Sequence, residues 1–240
     1  MINELELIQL VLDRAATAEE AVSIIADANV RAMSRIQYFV TDATGVTVAV
    51  LPTLDGLIVN IDENMPVRAL TNTGYQDLLD QLSRFTGFGG TSPLPFRTIK
   101  PNPDSVERFA LAASASKNHE PVAVSDGFAA LEAVENPDTR WQIVVQPSDG
   151  VIAFSVAGSA QQWRIDMGEI DYSCLPGPPA QSLNDLPVSE TGVQFQPLEN
   201  HRWAGTLFEV LTGFSDTIGL PPELAWPITD AQIASITCAE

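Results

Sequence analysis

Apolar positions at helical spacing open the chain. Leu5, Ile8, Val11 and Leu12 recur with that period, and Asn3 with Glu6 has the spacing of a cap. A second start follows: Thr17 and Glu20 stand three apart as in a capping box, ahead of Ala21, Val22, Ile24 and Ile25. The pattern predicts two short helices joined near residues 15–17.

The period then changes. Tyr38-Phe39-Val40 runs into Asp42-Ala43-Thr44-Gly45, which is turn chemistry, and residues 46–51 resume in β-rich types. Asp55-Gly56 marks another turn before an apolar run at 57–61. An antiparallel meander is expected, with one more strand over 67–71 leading into Asn72.

Helical spacing returns at 75–85, where Leu78, Leu79 and Leu82 share a side. Residues 86–102 are rich in Gly and Pro and read as loop. Asp104 with Glu107 forms a further capping box, and Val106, Phe109, Ala110 and Ala113 make the apolar face of the helix it starts. A helix is expected at 127–134, strands at 141–145, 151–156 and 162–165, and short helices at 202–211 and 230–236. The stretch 175–187, LPGPPAQSLNDLP, is an irregular connection. No repeat is visible. Runs of strands alternate with runs of helices without regular βαβ units, so the fold class is α+β with antiparallel sheet.

Composition narrows the function classes. The 240 residues are 45% hydrophobic and 18% charged, enough apolar material for one substantial core. The formal net charge is −19, from 31 acidic and 12 basic residues. Such a surface repels phosphate, which excludes nucleic acid and anionic membranes as expected partners. No apolar run reaches the length of a membrane span, and the acidic, helical N-terminus is not a signal peptide. The sequence as written reads as cytoplasmic; an upstream signal peptide would make it periplasmic or secreted. Cys174 and Cys238 are the two cysteines, His119 and His201 the two histidines, and no zinc-site spacing can be assembled from them. A Cys174–Cys238 disulfide and two reduced thiols both stay open. No metal or cofactor is expected. Gly87-Phe88-Gly89-Gly90 lacks the Lys-Ser/Thr of a phosphate loop, and no Gly-x-Ser-x-Gly elbow occurs.

Six local strings occur in one order. They are Tyr38-Phe39-Val40-Thr41-Asp42-Ala43-Thr44-Gly45; Ala69-Leu70-Thr71-Asn72; Gly87-Phe88-Gly89-Gly90 with Leu94-Pro95; Ser105-Val106-Glu107-Arg108-Phe109; Thr139-Arg140-Trp141; and Gln162-Trp163-Arg164-Ile165-Asp166. In this order, over residues 5–172, the chain resembles the choloylglycine hydrolase family, which includes bile salt hydrolases and penicillin V acylases. The resemblance implies a portion of an αββα N-terminal-nucleophile hydrolase sandwich. It also implies hydrolysis of a linear amide by a Cys at the mature N-terminus, whose own α-amino group is the base. The 240 residues would then be a single domain, the C-terminal portion of that fold.

The resemblance carries two functional positions over. Asn72 matches the family Asn whose side-chain amide helps hold the oxyanion, a contribution typically of about 3 kcal/mol. Without the resemblance, Asn72 reads equally as a cap for the helix starting near Tyr75. Arg108 matches the family Arg that orients the nucleophile and sustains its thiolate. Without the resemblance, Arg108 reads as a helix-surface residue pairing with Asp104.

Several positions depart from the pattern. Gln37 stands where relatives often have His, Gly74 where a Pro is common, and Val145-Gln146 where a Tyr-Asp is usual. Asn72 and Arg108 lie 36 positions apart, closer than in some relatives. The family's N-terminal Cys, with the Arg and Asp that follow it, has no counterpart: Ile2 follows Met1, and no Cys, Ser or Thr occurs in the first ten positions. The opening helices match the middle of a full-length relative. The chain alone is therefore expected not to hydrolyse amides. It is also expected to be poorly soluble or to need a partner chain carrying the N-terminal half, since loss of the central catalytic strand bares edges and an apolar face; a homo-oligomer is the other expected assembly. The expected ligand is a small-molecule amide. The alternative is a non-catalytic acidic binding or interaction protein.

Overall fold

A computed structural model describes residues 4–28, 36–96, 102–118, 123–171, 179–181, 186, 191–197, 200–213 and 221–235. The chain divides into two compact units, Met1–Asp149 and Gly150–Glu240.

In the first unit, helices α1 (Glu4–Arg14) and α2 (Ala18–Asp27) precede strands β1 (Tyr38–Thr41), β2 (Thr47–Thr53) and β3 (Gly56–Ile61). The strands form the expected antiparallel meander in the order β1-β2-β3, with Tyr38 opposite Val50 and Val50 opposite Val59. Every residue of β2 from Thr47 to Leu51 is buried. Successive side chains of a strand point to opposite faces, so both faces of β2 are covered. Val48 and Val50 pack with Leu7 and Val11 of α1 and with Ala18, Ala21 and Ile25 of α2. Ala49, on the other face, packs with Tyr75, Leu78, Leu82, Phe109 and Ala113. Those residues come from α3 (Tyr75–Leu82) and α4 (Ser105–Asn118), which gives one sheet between two helical layers.

The α1 stripe differs from the sequence reading. Leu7 and Val11 are buried, whereas Ile8 is 46% and Leu12 72% exposed. ELELIQLVLDR carries two overlapping apolar stripes, and the neighbouring α2 and β2 select the one through Leu7. At α2 the Thr17 cap forms as read, Thr17 Oγ1 accepting from the Glu20 N–H at 3.2 Å, but the box is not closed on Thr17: the Glu20 carboxylate accepts from the Ala16 N–H, one residue earlier, at 2.7 Å. Asp42 adds a tertiary cap. Its Oδ2 accepts from the Ala18 N–H at 3.1 Å, while Oδ1 accepts from Thr44 N–H, Thr44 Oγ1 and Val46 N–H. One carboxylate thus closes the β1–β2 turn and fastens it to α2.

The strand expected over 67–71 does not form. The Tyr75 hydroxyl donates to the Val67 carbonyl at 2.7 Å and accepts from its N–H at 3.1 Å. The Thr71 carbonyl accepts from Gln37. Side chains take backbone groups that a strand would present to a neighbour, and the segment does not join the sheet.

The loop 86–92 is closed by the Thr86 N–H on the Ser92 carbonyl (2.7 Å) and the Ser92 N–H on the Arg84 carbonyl (3.0 Å). Gly90 lies so near the chain that an added Cβ would sit 2.0 Å from the Arg84 carbonyl oxygen. Helix α5 (Val124–Ala133) starts three residues before the position read from sequence, because the Asp126 carboxylate accepts from the Ala123 N–H and caps it there. Gly127 lets β4 (Trp141–Gln146) press on α5: a Cβ there would meet Val144 Cγ1 at 2.7 Å.

In the second unit, β5 (Val151–Val156) and β6 (Gln162–Asp166) form an antiparallel hairpin in which Phe154 stacks on Trp163 at 5.7 Å. β7 (Pro179–Ala180) pairs with β8 (Gln196–Pro197). Helix α6 (Asn200–Gly213) meets α7 (Ala225–Ser235) through Phe208 stacked on Trp226 at 4.3 Å. α7 begins five residues before the position read from sequence. Pro227 lies in its first turn, where the missing N–H leaves no bond unmade.

Candidate functional site

The segment Thr71-Asn72-Thr73 is held from two sides. On one side lies Gln37, immediately before β1. Its Nε2 donates to the Thr71 carbonyl at 2.8 Å and to the Thr73 carbonyl at 2.6 Å. On the other lies Ser105, the first residue of α4. Thr71 Oγ1 donates to the Ser105 carbonyl at 2.9 Å, and Ser105 Oγ donates to Thr71 Oγ1 at 3.0 Å. Ser105 Oγ also accepts from the Thr73 N–H at 3.0 Å and from Thr73 Oγ1 at 2.9 Å. Each hydroxyl proton in this set is used once.

These bonds tie the residues on both sides of Asn72 to Ser105, three positions before Arg108 in the first turn of α4. Asn72 is exposed, and none of the bonds uses its side chain. It is not the cap of α3: the N-cap position is Gly74, which offers no side chain. Arg108 is half-buried and donates from Nη1 to the Pro103 carbonyl at 3.1 Å. Asp104 and Glu107 make the expected capping box, with the Asp104 carboxylate accepting from the Glu107 N–H at 3.0 Å and the Glu107 carboxylate from the Asp104 N–H at 2.7 Å. Behind this turn, Phe109 is fully buried and meets Tyr75 edge-on at 6.1 Å. Burial raises the Tyr75 phenol above its ordinary value of 10.0.

The Gly-rich loop reaches the far end of the same helix. Lys117 Nζ donates to the Gly87 carbonyl at 3.1 Å and lies 5.3 Å from the centre of the Phe88 ring.

A concavity of about 270 Å3 lies elsewhere, between the end of α5 and the start of β4. Leu131, Val134, Thr139, Trp141 and Ile143 line it, and neither Asn72 nor Arg108 does. Among the described residues no group of three or more His, Cys, Asp or Glu could hold a metal ion, and no helix is long and apolar enough to cross a membrane. Cys174, Cys238 and His119, and the side chain of His201, fall outside what the structure describes.

Sequence reasoning does not single out Gln37, Thr71, Thr73 and Ser105 as site residues, although all four lie in or directly beside the six motif strings. One signal was available. With Asp104 already the cap, the Ser105 hydroxyl is spare, and hydroxyls on both sides of Asn72 have no local partner to satisfy.

No protein-family model matches the sequence, and no curated protein matches it. Solved structures do. The fold is similar to penicillin V acylase from Agrobacterium tumefaciens, with a TM-score of 0.58 and 24% identity over 73% of this chain and 59% of that one. It is similar to a mutant of conjugated bile acid hydrolase from Clostridium perfringens, with a TM-score of 0.54 and 16% identity over 70% and 63% of the two chains. A second variant of that hydrolase gives a TM-score of 0.51 and 16% identity over 65% and 60%. The fold is therefore similar to that of penicillin V acylase and conjugated bile acid hydrolase, an α+β arrangement with antiparallel sheet. The chain spans about 59–63% of the length of these structures.

Proposed function

We propose that this chain carries the oxyanion-holding part of a hydrolase of linear amide C–N bonds, completed by a Cys nucleophile that these 240 residues do not supply at their start. In this reading the thiolate attacks the amide carbonyl, and the Asn72 carboxamide donates to the oxygen as it becomes negative. Arg108 stands beside the thiolate and favours its charged form. The Cys α-amino group takes the thiol proton and passes it to the leaving nitrogen; water then releases the acyl group.

The observation that carries the reading is the Ser105 network. It ties the residues on both sides of Asn72 to the turn that presents Arg108, across more than 30 positions of sequence. A second observation supports a covering segment or partner chain. The Trp141, Ile143 and Val145 face of β4 is 59, 50 and 55% exposed, although α5 covers the opposite face of that strand. A strand with one bare apolar face fits a sandwich with a layer still to be added.

The test is hydrolysis of penicillin V by two proteins: the 240-residue chain, and the same chain joined to a Cys-bearing segment encoded with it. Turnover is expected only from the joined protein, and Asn72→Ala should lower its kcat about 100-fold or more. Turnover by the 240-residue chain alone, or an undiminished Asn72→Ala enzyme, overturns the reading.

A further inference from the structure

We infer that Gln37 is a positioning residue: its carboxamide holds the carbonyls on both sides of Asn72 and sets where the Asn72 amide is aimed. The inference rests on the proposed hydrolase for the use of Asn72, and goes beyond it in naming the group that holds the segment in place.

A primary amide nitrogen has two N–H donors. Gln37 spends both on one short segment, at 2.8 Å to Thr71 and 2.6 Å to Thr73. Turning the Thr71 and Thr73 carbonyls toward one nitrogen fixes the peptide plane before Asn72 and the one after Thr73, while the Thr73 N–H on Ser105 fixes the plane between them. Ser105 fixes the same two residues from α4 through their hydroxyls and the Thr73 N–H. The segment is not part of a strand or helix, so no ladder holds it. These side-chain bonds supply what regular structure would. Gln37 is anchored in turn by β1, whose Tyr38 is buried against Val50.

The chemistry of the clamp is specific. It needs a neutral group that donates twice and accepts nothing from the segment. Glu has the shape of Gln but at neutral pH has no proton to donate, and it would face two carbonyl oxygens. Met has similar length and no donor at all. Neither change removes buried core volume, so both leave β2 in place.

The experiment uses Gln37→Glu and Gln37→Met in the full 240-residue chain, followed by amide hydrogen exchange and nitrogen-15 relaxation. Thr73 exchange protection should fall at least about tenfold and the Asn72 backbone should lose order, with Val48 and Val50 in β2 unchanged. Penicillin V is then titrated while the Asn72 carboxamide resonance is followed. The wild-type chain should show a shift that both variants lose. Unchanged Thr73 protection and Asn72 order in both variants overturns the role of Gln37, as does an Asn72 shift that the variants retain. A wild-type chain whose Asn72 resonance ignores penicillin V counts against the proposed hydrolase instead; Thr73 protection and Asn72 order still decide whether Gln37 holds the segment.

Discussion

The Ser105 hydroxyl lies 3.0 Å from the Thr73 backbone nitrogen, 32 positions away in sequence, and accepts its N–H. The same oxygen serves two threonine hydroxyls, so one side chain joins the segment around Asn72 to the first turn of α4. Removing that oxygen leaves the Thr73 N–H and the Thr73 hydroxyl without their partner and takes one donor from Thr71 Oγ1, which keeps its own bond to the Ser105 carbonyl. Ser105→Ala is expected to cost about 1–3 kcal/mol, read as an earlier midpoint in urea with an unchanged slope. An unshifted midpoint would show that water replaces the network without loss.

Tyr75 tests a second non-local tie. Its ring is 2% exposed, its hydroxyl makes both bonds to Val67, and its edge contact with Phe109 does not involve the hydroxyl. Tyr75→Phe should keep the packing and lose about 1 kcal/mol, whereas Phe109→Ala should lose about 3–5 kcal/mol by opening a cavity. The raised Tyr75 pKa has its own consequence. The folded state holds the phenolic proton more tightly than the unfolded one. This stabilisation is present below the ordinary value of 10.0 and is lost as pH rises through the folded value. Tyr75→Phe should therefore flatten the alkaline limb of the stability curve.

Asp42 makes the opposite prediction at the acid end. The Thr44 hydroxyl, then the Ala18 N–H, are the main groups that hold its carboxyl below the ordinary value of 3.8. A depressed folded pKa contributes stability above 3.8 that is lost as pH falls through the folded value. Asp42→Asn should unfold at a lower temperature than wild type at neutral pH, and the gap should close as the wild-type carboxyl is protonated. A gap of the same size at every pH would mean that the charge contributes nothing.

Gly90 carries a steric prediction. A methyl group there would lie 2.0 Å from the Arg84 carbonyl oxygen, so the backbone itself must move. Gly90→Ala should destabilise by about 1–3 kcal/mol and loosen the loop closed by Thr86 and Ser92. Differential scanning calorimetry with exchange at Thr86 reads both effects.

Much of the fold was legible in short-range pattern. The Thr17 cap and the capping box at Asp104 set two helix starts, and the turn residues around Gly45 and Gly56 set the meander. The misreadings share one cause. The expected strand at 67–71 has the right residue types, but Tyr75 and Gln37 take its backbone groups. Ile8 and Leu12 have helical spacing as good as that of Leu7 and Val11, yet α2 and β2 cover only the latter stripe. At the candidate site, motif strings pointed to Asn72 and Arg108. In the sequence Gln37 is visible only as a departure from pattern, since its partners lie 34 and 36 positions away.

The sequence by itself determined the element types, most of their starts and the antiparallel hairpins, because caps, turns and apolar periods act within a few residues. Tertiary structure alone decided which apolar stripe of α1 is buried, which strand-like segment stays out of the sheet, and which side chains fasten the segment around Asn72 to the start of α4. Those outcomes depend on hydrogen-bond and packing partners brought together from distant positions, and no local pattern records which of several compatible partners arrives.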